Sequence, residues 1–293
     1  MTTWTVRALL ASAAEYLSQR GVETARLDAE RMLADVLGTE RMDLYTDIDR
    51  VVGESDRARL RELVRRRAGR EPAQHILGHA GFYGLDLLAD RRAMIPRRET
   101  ELLVDRAIEL ARASRPAGQA RVLDVGCGTG CIALAVAKAM GESAAVTALD
   151  VSAEAVSLAR ENALRLGLDG GVEFLEGDLF TALGDIAGGT EPFDVVSANL
   201  PYIPTGEIDT LMPEVRDHDP RVALDGGPDG LDVIRRFVKD APAWLAPGGW
   251  VLIEVGAGQA RAVAGMVADA GLDPGPVLKD PGGIERLVQG RRR

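Results

Sequence analysis

The chain has 293 residues and a formal net charge of −10, from 45 acidic against 35 basic residues. Hydrophobic residues make up 46% and charged residues 27%, the composition of a globular protein with room for a large and a small domain. The acidic balance argues against long-range attraction to DNA, and no apolar run reaches the roughly 20 residues of a membrane span.

At the N-terminus, apolar residues stand at helical spacing with Glu15 among them, unlike the uninterrupted core of a signal peptide, so a cytoplasmic protein is expected. Leu9, Leu10, Ala13, Ala14 and Leu17 form one stripe, and Leu27 to Leu37 carry a second that stops at Gly38. Residues 57–70, R-A-R-L-R-E-L-V-R-R-R-A-G-R, place seven arginines on a predicted helix. Two readings stand for this run, a solvated helix face or a weak contact with an acidic partner such as ribosomal RNA. Residues 1–72 are therefore read as a small helical domain of about four helices.

Residues 73–96 change character. Q-H-I-L-G and G-F-Y-G-L-D-L-L are short, glycine-punctuated and aromatic, and predict a β-hairpin linking two domains. His75 and His79 lie in this stretch and are read as structural or solvated residues.

From residue 97 to residue 293 strands and helices alternate. Helix 102–113, strand 121–125, helix 131–139, strand 145–149, helix 153–166 and strands 172–175 and 194–198 are expected in turn. Helix 231–244, strand 250–255 and a terminal antiparallel pair, 277–278 with 284–288, complete the series. Alternation of this kind requires crossover connections and predicts an α/β domain with a parallel, Rossmann-like sheet.

Two loops in this domain carry chemistry. V-L-D-V-G-C-G-T-G-C, from Val122, sets Gly126, Gly128 and Gly130 between a strand and a helix, where the backbone can approach a ligand closely. The next strand ends in Asp150, an acceptor for ribose hydroxyls. Cys127 and Cys131 lie in the same loop, with no further residue nearby to complete a metal site, and are read as small apolar fillers. The spacing G-x-G-x-G after Asp124 differs from the G-x-G-x-x-G of dinucleotide enzymes and resembles motif I of class I S-adenosylmethionine-dependent methyltransferases. That resemblance implies the methyl donor as cofactor, held by Asp124, Gly126, Cys127, Gly128, Thr129, Gly130, Asp150 and Val151. In L-E-G-D-L-F it implies Asp178 and Leu179 at the adenine.

The second loop, S-A-N-L-P-Y-I-P-T, follows the fourth strand, at the sheet edge where open α/β folds bind ligands. Pro and Asn gain nothing inside a strand, so the stretch reads as a strand end with a task. The Asn199 side-chain oxygen and a nearby backbone carbonyl, stiffened by Pro201, can accept both hydrogens of a planar NH2 group, with the Tyr202 ring covering it. Asn199 also stands next to the donor. The catalytic set is therefore Asn199, Leu200, Pro201 and Tyr202.

The tetrapeptide resembles the N-P-P-Y motif of methyltransferases acting on exocyclic nitrogens. A wider resemblance spans E-P-A-Q-H-I-L-G, G-F-Y-G-L, I-P-R-R-E-T-E-L-L-V, N-L-P-Y-I-P and P-E-V-R-D-H-D-P-R-V-A-L-D-G-G-P-D-G-L, and is to the PrmC (HemK) family. It implies methylation of the glutamine amide in the Gly-Gly-Gln motif of peptide-chain release factors, with the N-terminal helices helping to bind that protein substrate. Two positions depart from the family pattern, Leu200 and Arg98, each standing where the family has proline. They leave open a related enzyme acting on a small planar acceptor such as free arginine, whose guanidinium would want a carboxylate from Glu207, Asp209 or Glu214. A non-catalytic module that binds the cofactor, or the ribosome through its basic helix, is the rival of another class.

Overall fold

The computed structural model describes residues 4–116, 118–184 and 191–293. It divides into two compact units, one formed by residues 1–79 with 212–218 and the other by residues 80–211 with 219–293.

The first unit contains α1 (Val6–Gln19), α2 (Ala25–Leu37), α3 (Asp43–Thr46), α4 (Glu54–Ala68) and α5 (Ala73–Leu77). The Thr5 hydroxyl caps α1 by accepting from Ala8 N, and Gly38 ends α2 in the left-handed region at φ 63°. Leu10, Leu17, Met32, Leu33 and Leu60 meet in its core. Residues 73–77, expected within a hairpin, form the one-turn helix α5. Pro72 opens it with its φ already set, and Gly78 closes it at φ 79°.

The arginines of residues 57–70 are all engaged inside this unit. Arg57 and Arg61 pair with Glu54, Arg65 with Glu62, Arg66 with Glu71, and Arg59 donates to the Val36 carbonyl. Arg67 is buried and donates to Asp28 at 2.8 Å and to Glu214 at 2.8 Å, while Arg70 reaches the same Glu214 at 2.6 Å.

The second unit begins with a two-stranded hairpin, β1 (His79–Phe82) and β2 (Leu85–Leu88). Then follow α6 (Glu101–Ser114), β3 (Ala120–Val125), α7 (Cys131–Met140), β4 (Ala144–Asp150), α8 (Ala153–Leu166), β5 (Val172–Glu176), α9 (Thr181–Gly184) and β6 (Phe193–Ala198). The short helix α10 (Pro213–Arg216) belongs to the helical unit. The chain returns with α11 (Asp232–Trp244), β7 (Leu245–Glu254), α12 (Ala260–Asp269), β8 (Asp273–Pro274), β9 (Leu278–Lys279) and β10 (Glu285–Arg291).

The sheet order is β5-β4-β3-β6-β7-β10-β8, parallel from β5 to β7, with β10 antiparallel to β7 and β9 paired to β10. Strand β7 starts five residues ahead of the expected Trp250, because Ala246-Pro247-Gly248-Gly249 is accommodated as a register shift opposite Phe193 and Val195. Alternate residues feed two cores. Val122, Val146 and Val195 join α6 and α7 on one face, and Leu123, Val196 and Ile253 join α11 and α12 on the other. Leu85 and Leu87 dock the hairpin onto the first of these cores. The order reverses between β3 and β6, whose carboxyl ends lie side by side in the register Val125–Ala198. In such sheets that reversal opens a crevice for ligands.

Candidate active site

A cavity of about 270 Å³ occupies this position. On one side runs the glycine loop after β3. Gly126 N and Cys127 N both donate to the Leu149 carbonyl, at 2.8 and 3.0 Å, which ties the loop to the end of β4. Two glycines are required here. Gly126 has φ 77°, and a Cβ on it would come within 3.1 Å of the Leu200 side chain; Gly128 has φ 54° and faces open space, the nearest atom to such a Cβ being Ala93 Cβ at 3.9 Å.

Asp150 Oδ2 accepts from Gly128 N and its Oδ1 from Ser152 N, each at 2.9 Å. Burial raises its pKa against these N–H bonds. Asp124 is wholly buried. Ser197 Oγ donates to its Oδ1 at 3.1 Å, while Oδ2 has no partner. Burial pushes this carboxyl up to about 7, opposed by the Ser197 and Ala133 bonds and reinforced by Asp150.

Gly126, Cys127, Gly128, Thr129, Asp150, Val151, Asp178 and Leu179 all line the cavity, whereas Asp124 and Gly130 stand behind the wall. Asp178 is engaged by Arg236 at 2.6 Å, so its carboxylate carries a cation with it, and Leu179 holds a left-handed φ of 51° that turns it into the wall. Cys127 and Cys131 have their thiols raised by burial, Cys131 to about 12, which keeps both protonated and inert. These residues fit S-adenosylmethionine: an open cradle over Gly128 and an acid at the end of β4 for the ribose.

The opposite side is the loop after β6. Asn199 Nδ2 donates to the Thr100 hydroxyl at 3.3 Å, which leaves Oδ1 as the free end of the amide. Leu200 is buried, with its side chain under Gly126, so it fills space that seals the acceptor loop against the donor loop. Among the described residues no protein donor reaches Asn199 Oδ1 or the Leu200 carbonyl, and both residues line the cavity with Pro201.

The segment L-D-G-G-P-D-G-L underlies this loop. A Cβ on Gly226 would lie 2.7 Å from the Pro201 carbonyl and one on Gly230 would lie 2.3 Å from the Tyr202 carbonyl, so only glycine fits at either position. Gln259 Nε2 donates to the Tyr202 carbonyl at 2.8 Å, while its Oε1 accepts from Gly256 N at 2.8 Å. The Tyr202 ring packs beside Gly256 rather than along the cavity wall. Glu207 lies exposed on the turn Thr205–Thr210 and does not line the cavity either. Glu214 belongs to the helical unit, where Arg67 and Arg70 hold it. None of the three histidines lines the cavity.

Sequence reasoning passed over three residues that organise the site. Thr100 ends the turn Arg98–Thr100 and lines the cavity. Buried Asn162 on α8 receives Leu88 N at 2.6 Å and donates to the Thr129 carbonyl at 3.0 Å, joining the hairpin to the glycine loop. Glu254 ends β7, one register step beyond the pair Ala198–Ile253, and is 3% exposed. A polar residue inside an otherwise apolar strand or helix was the available signal for the last two.

Two family descriptions match the chain, the PrmC N-terminal domain over residues 8–78 and a methyltransferase domain over residues 117–225. A release factor glutamine methyltransferase of Geobacter sulfurreducens is 44% identical over 288 residues, covering 98% of this chain and 97% of the relative. Another from Deinococcus radiodurans is 43% identical, covering 98% of each chain. A methyltransferase structure from Pyrococcus furiosus shares the fold, with a TM-score of 0.51 and 18% identity over 72% of this chain and 91% of that one. With its sheet order, donor loop and acceptor loop alike in keeping, the chain belongs to the family of the release factor glutamine methyltransferases, the PrmC family.

Proposed function

We propose that this protein transfers a methyl group from S-adenosylmethionine to the side-chain amide nitrogen of the glutamine in the Gly-Gly-Gln motif of a peptide-chain release factor. The reading is carried by the pair of acceptors left without a protein donor, Asn199 Oδ1 and the Leu200 carbonyl, on the strand end next to the glycine loop. The relatives named above, alike over nearly their whole length, support the choice of acceptor.

The bound cofactor supplies an electrophilic methyl group on a sulfonium sulfur. Everything else is positioning. An amide nitrogen is a poor nucleophile because its lone pair is delocalised into the carbonyl. Asn199 Oδ1 and the Leu200 carbonyl each take one N–H of the NH2 group, fix its plane, and bind more strongly as positive charge builds on the nitrogen. Pro201 and the glycines beneath it keep both oxygens in place before the acceptor arrives, which lowers the entropic part of the barrier. Glycine backbone and Asp150 hold the donor side. Tyr202 supports the loop from behind, and the helical unit is assigned to recognition of the protein substrate. With that acceptor the reaction belongs in the cytoplasm, where release factors act.

A methyl-transfer assay with labelled donor, offering a purified release factor and free arginine side by side, tests the reading. Label is expected in the release factor and is expected to vanish when the glutamine of its motif is replaced by alanine. Label in arginine alone would overturn it.

A further inference from the structure

The orientation of the Asn199 amide has a structural source outside the acceptor motif. Glu254 stands buried at the end of β7, one register step beyond the pair Ala198–Ile253 and so beside the end of β6, where Thr100 and the Asn199 side chain both act to lower a pKa that burial raises. Thr100 Oγ1 is in turn 3.3 Å from Asn199 Nδ2. Once ionised, a carboxylate only accepts hydrogen bonds, so an amide that faces it then presents NH2. An isolated asparagine could present either end to the cavity; this one presents oxygen.

Several charged and titratable groups act on Glu254. Arg286 of β10 lies on one side, itself paired with Asp280 at 2.9 Å, and Glu99, Tyr202 and Cys131 lie on the others. None of them gives it a direct hydrogen bond, and Glu254 Oε2 remains without a partner. Burying a carboxylate in this way costs stability that an apolar residue at the end of β7 would spare. Its retention calls for a task.

We infer that Glu254, acting with Thr100, is a positioning residue that locks the Asn199 amide with its oxygen toward the methyl acceptor. The inference deepens the proposed function and rests on it for the identity of the acceptor. Glu254 does not line the cavity. It determines which end of Asn199 does.

A charge-exchange series tests this. Glu254→Ala, Glu254→Gln, Asn199→Asp and the double variant Asn199→Asp with Glu254→Gln are assayed on a release factor at about pH 8.5, each with S-adenosylhomocysteine affinity by calorimetry. Glu254→Ala is expected to lower kcat by about tenfold or more, with KM for the release factor and affinity for the homocysteine product each within about threefold. Asn199→Asp sets two buried carboxylates against each other, whereas in the double variant the new amide on β7 donates to the new carboxylate after β6 and an oxygen again faces the acceptor. The double variant is therefore expected to be at least about tenfold faster than Asn199→Asp alone, a rescue that a purely structural carboxylate would not produce. An unchanged kcat in Glu254→Ala, or a double variant no faster than Asn199→Asp, overturns the inference; if Glu254→Ala fails to bind the product, the isosteric Glu254→Gln takes its place. Should the wild-type protein leave release factors unmethylated, the proposed acceptor falls, and the inference is then decided without it. The Asn199 side-chain ¹⁵N amide resonance, identified by its loss in Asn199→Asp, must shift in Glu254→Gln, and an unmoved resonance overturns it.

Discussion

Arg67 Nε donates to Asp28 Oδ2 across 2.8 Å, and the two side chains are only 6% and 4% exposed. Glu214 completes the group from α10, at 2.8 Å from Arg67. Arg67→Ala would leave Asp28 buried without its cation and Glu214 with Arg70 alone, and is expected to cost the helical unit about 3–5 kcal/mol. Urea unfolding, with hydrogen exchange of the α4 amides as a local readout, measures it. Replacing all three together, Asp28→Leu, Arg67→Met and Glu214→Leu, is expected to recover most of that loss; a triple variant as unstable as Arg67→Ala would show that the charges themselves are needed.

Asp150 offers both oxygens to backbone N–H groups at the rim of the donor cradle and keeps lone pairs for a ribose. Asp150→Ala is expected to weaken S-adenosylhomocysteine binding about tenfold to a hundredfold, the loss of charge-assisted hydrogen bonds. Calorimetry reads this directly, and a change under about twofold would remove Asp150 from the ribose.

Asn199→Ala removes one of the two acceptors and leaves the glycine loop intact. Methyl transfer is expected to fall about 10²–10³-fold, the usual cost of deleting one preorganised hydrogen-bonding group from a transition state. Product affinity should stay within about threefold, so single-turnover rates and calorimetry together separate the two effects.

Leu200→Ala separates a side chain from its carbonyl. The buried leucine lies under Gly126, and its truncation is expected to cost about 2–3 kcal/mol in thermal or denaturant unfolding. Turnover should remain within about tenfold, because the acceptor at this position is main chain. A collapse of kcat at undiminished product affinity would show that the side chain itself shapes the pocket.

Asp124 and Glu254 are both pushed up to about 7 by burial, from ordinary values of 3.8 and 4.5. Between those limits the folded protein holds protons that the unfolded chain has released. Stability contributed by these groups is therefore present at low pH and lost as pH rises toward about 7, levelling above it. The thermal midpoint is expected to decline from about pH 5.5 to about pH 7.5, and to decline less in the variant Asp124→Asn with Glu254→Gln. A steeper fall in that variant would contradict the assignment. Against the effect of burial, Glu30 is lowered by the Tyr45 hydroxyl and then Arg26, and Glu214 by Arg70 and Arg67; both work in the opposite direction, with their stability lost only as pH falls through the ordinary carboxylate range.

The parts of this protein that sequence made visible are those whose meaning is local. Gly126, Gly128, Asp150 and Asn199 to Pro201 each stand within a few positions of a strand terminus and line one cavity, and the strand–helix alternation places those termini on one edge. Other residues take their meaning from neighbours distant along the chain. Glu254 stands beside Asn199, and Asn162 bonds Leu88 and Thr129, proximities that exist only once β6 lies beside β7 and α8 beside the hairpin. Glu214 shows the same limit in reverse. Its closeness to the acceptor motif made it a candidate partner for a guanidinium substrate, yet its guanidinium partners are Arg67 and Arg70, far upstream. Within the arginine run, Arg67 and Arg70 take acids, Asp28 and Glu214, that a linear reading does not pair with them.

Seven residues, Met212 to His218, are counted with the first unit although they fall between two stretches of the second. No single scission can thus yield two complete halves: cutting after residue 79 would strip the front piece of Glu214, the carboxylate that Arg67 and Arg70 share. Gene fragments encoding the halves should make poor partners in trans. Any lineage that shuffled this catalytic module onto a new recognition domain would have had to rebuild that borrowed stretch as well.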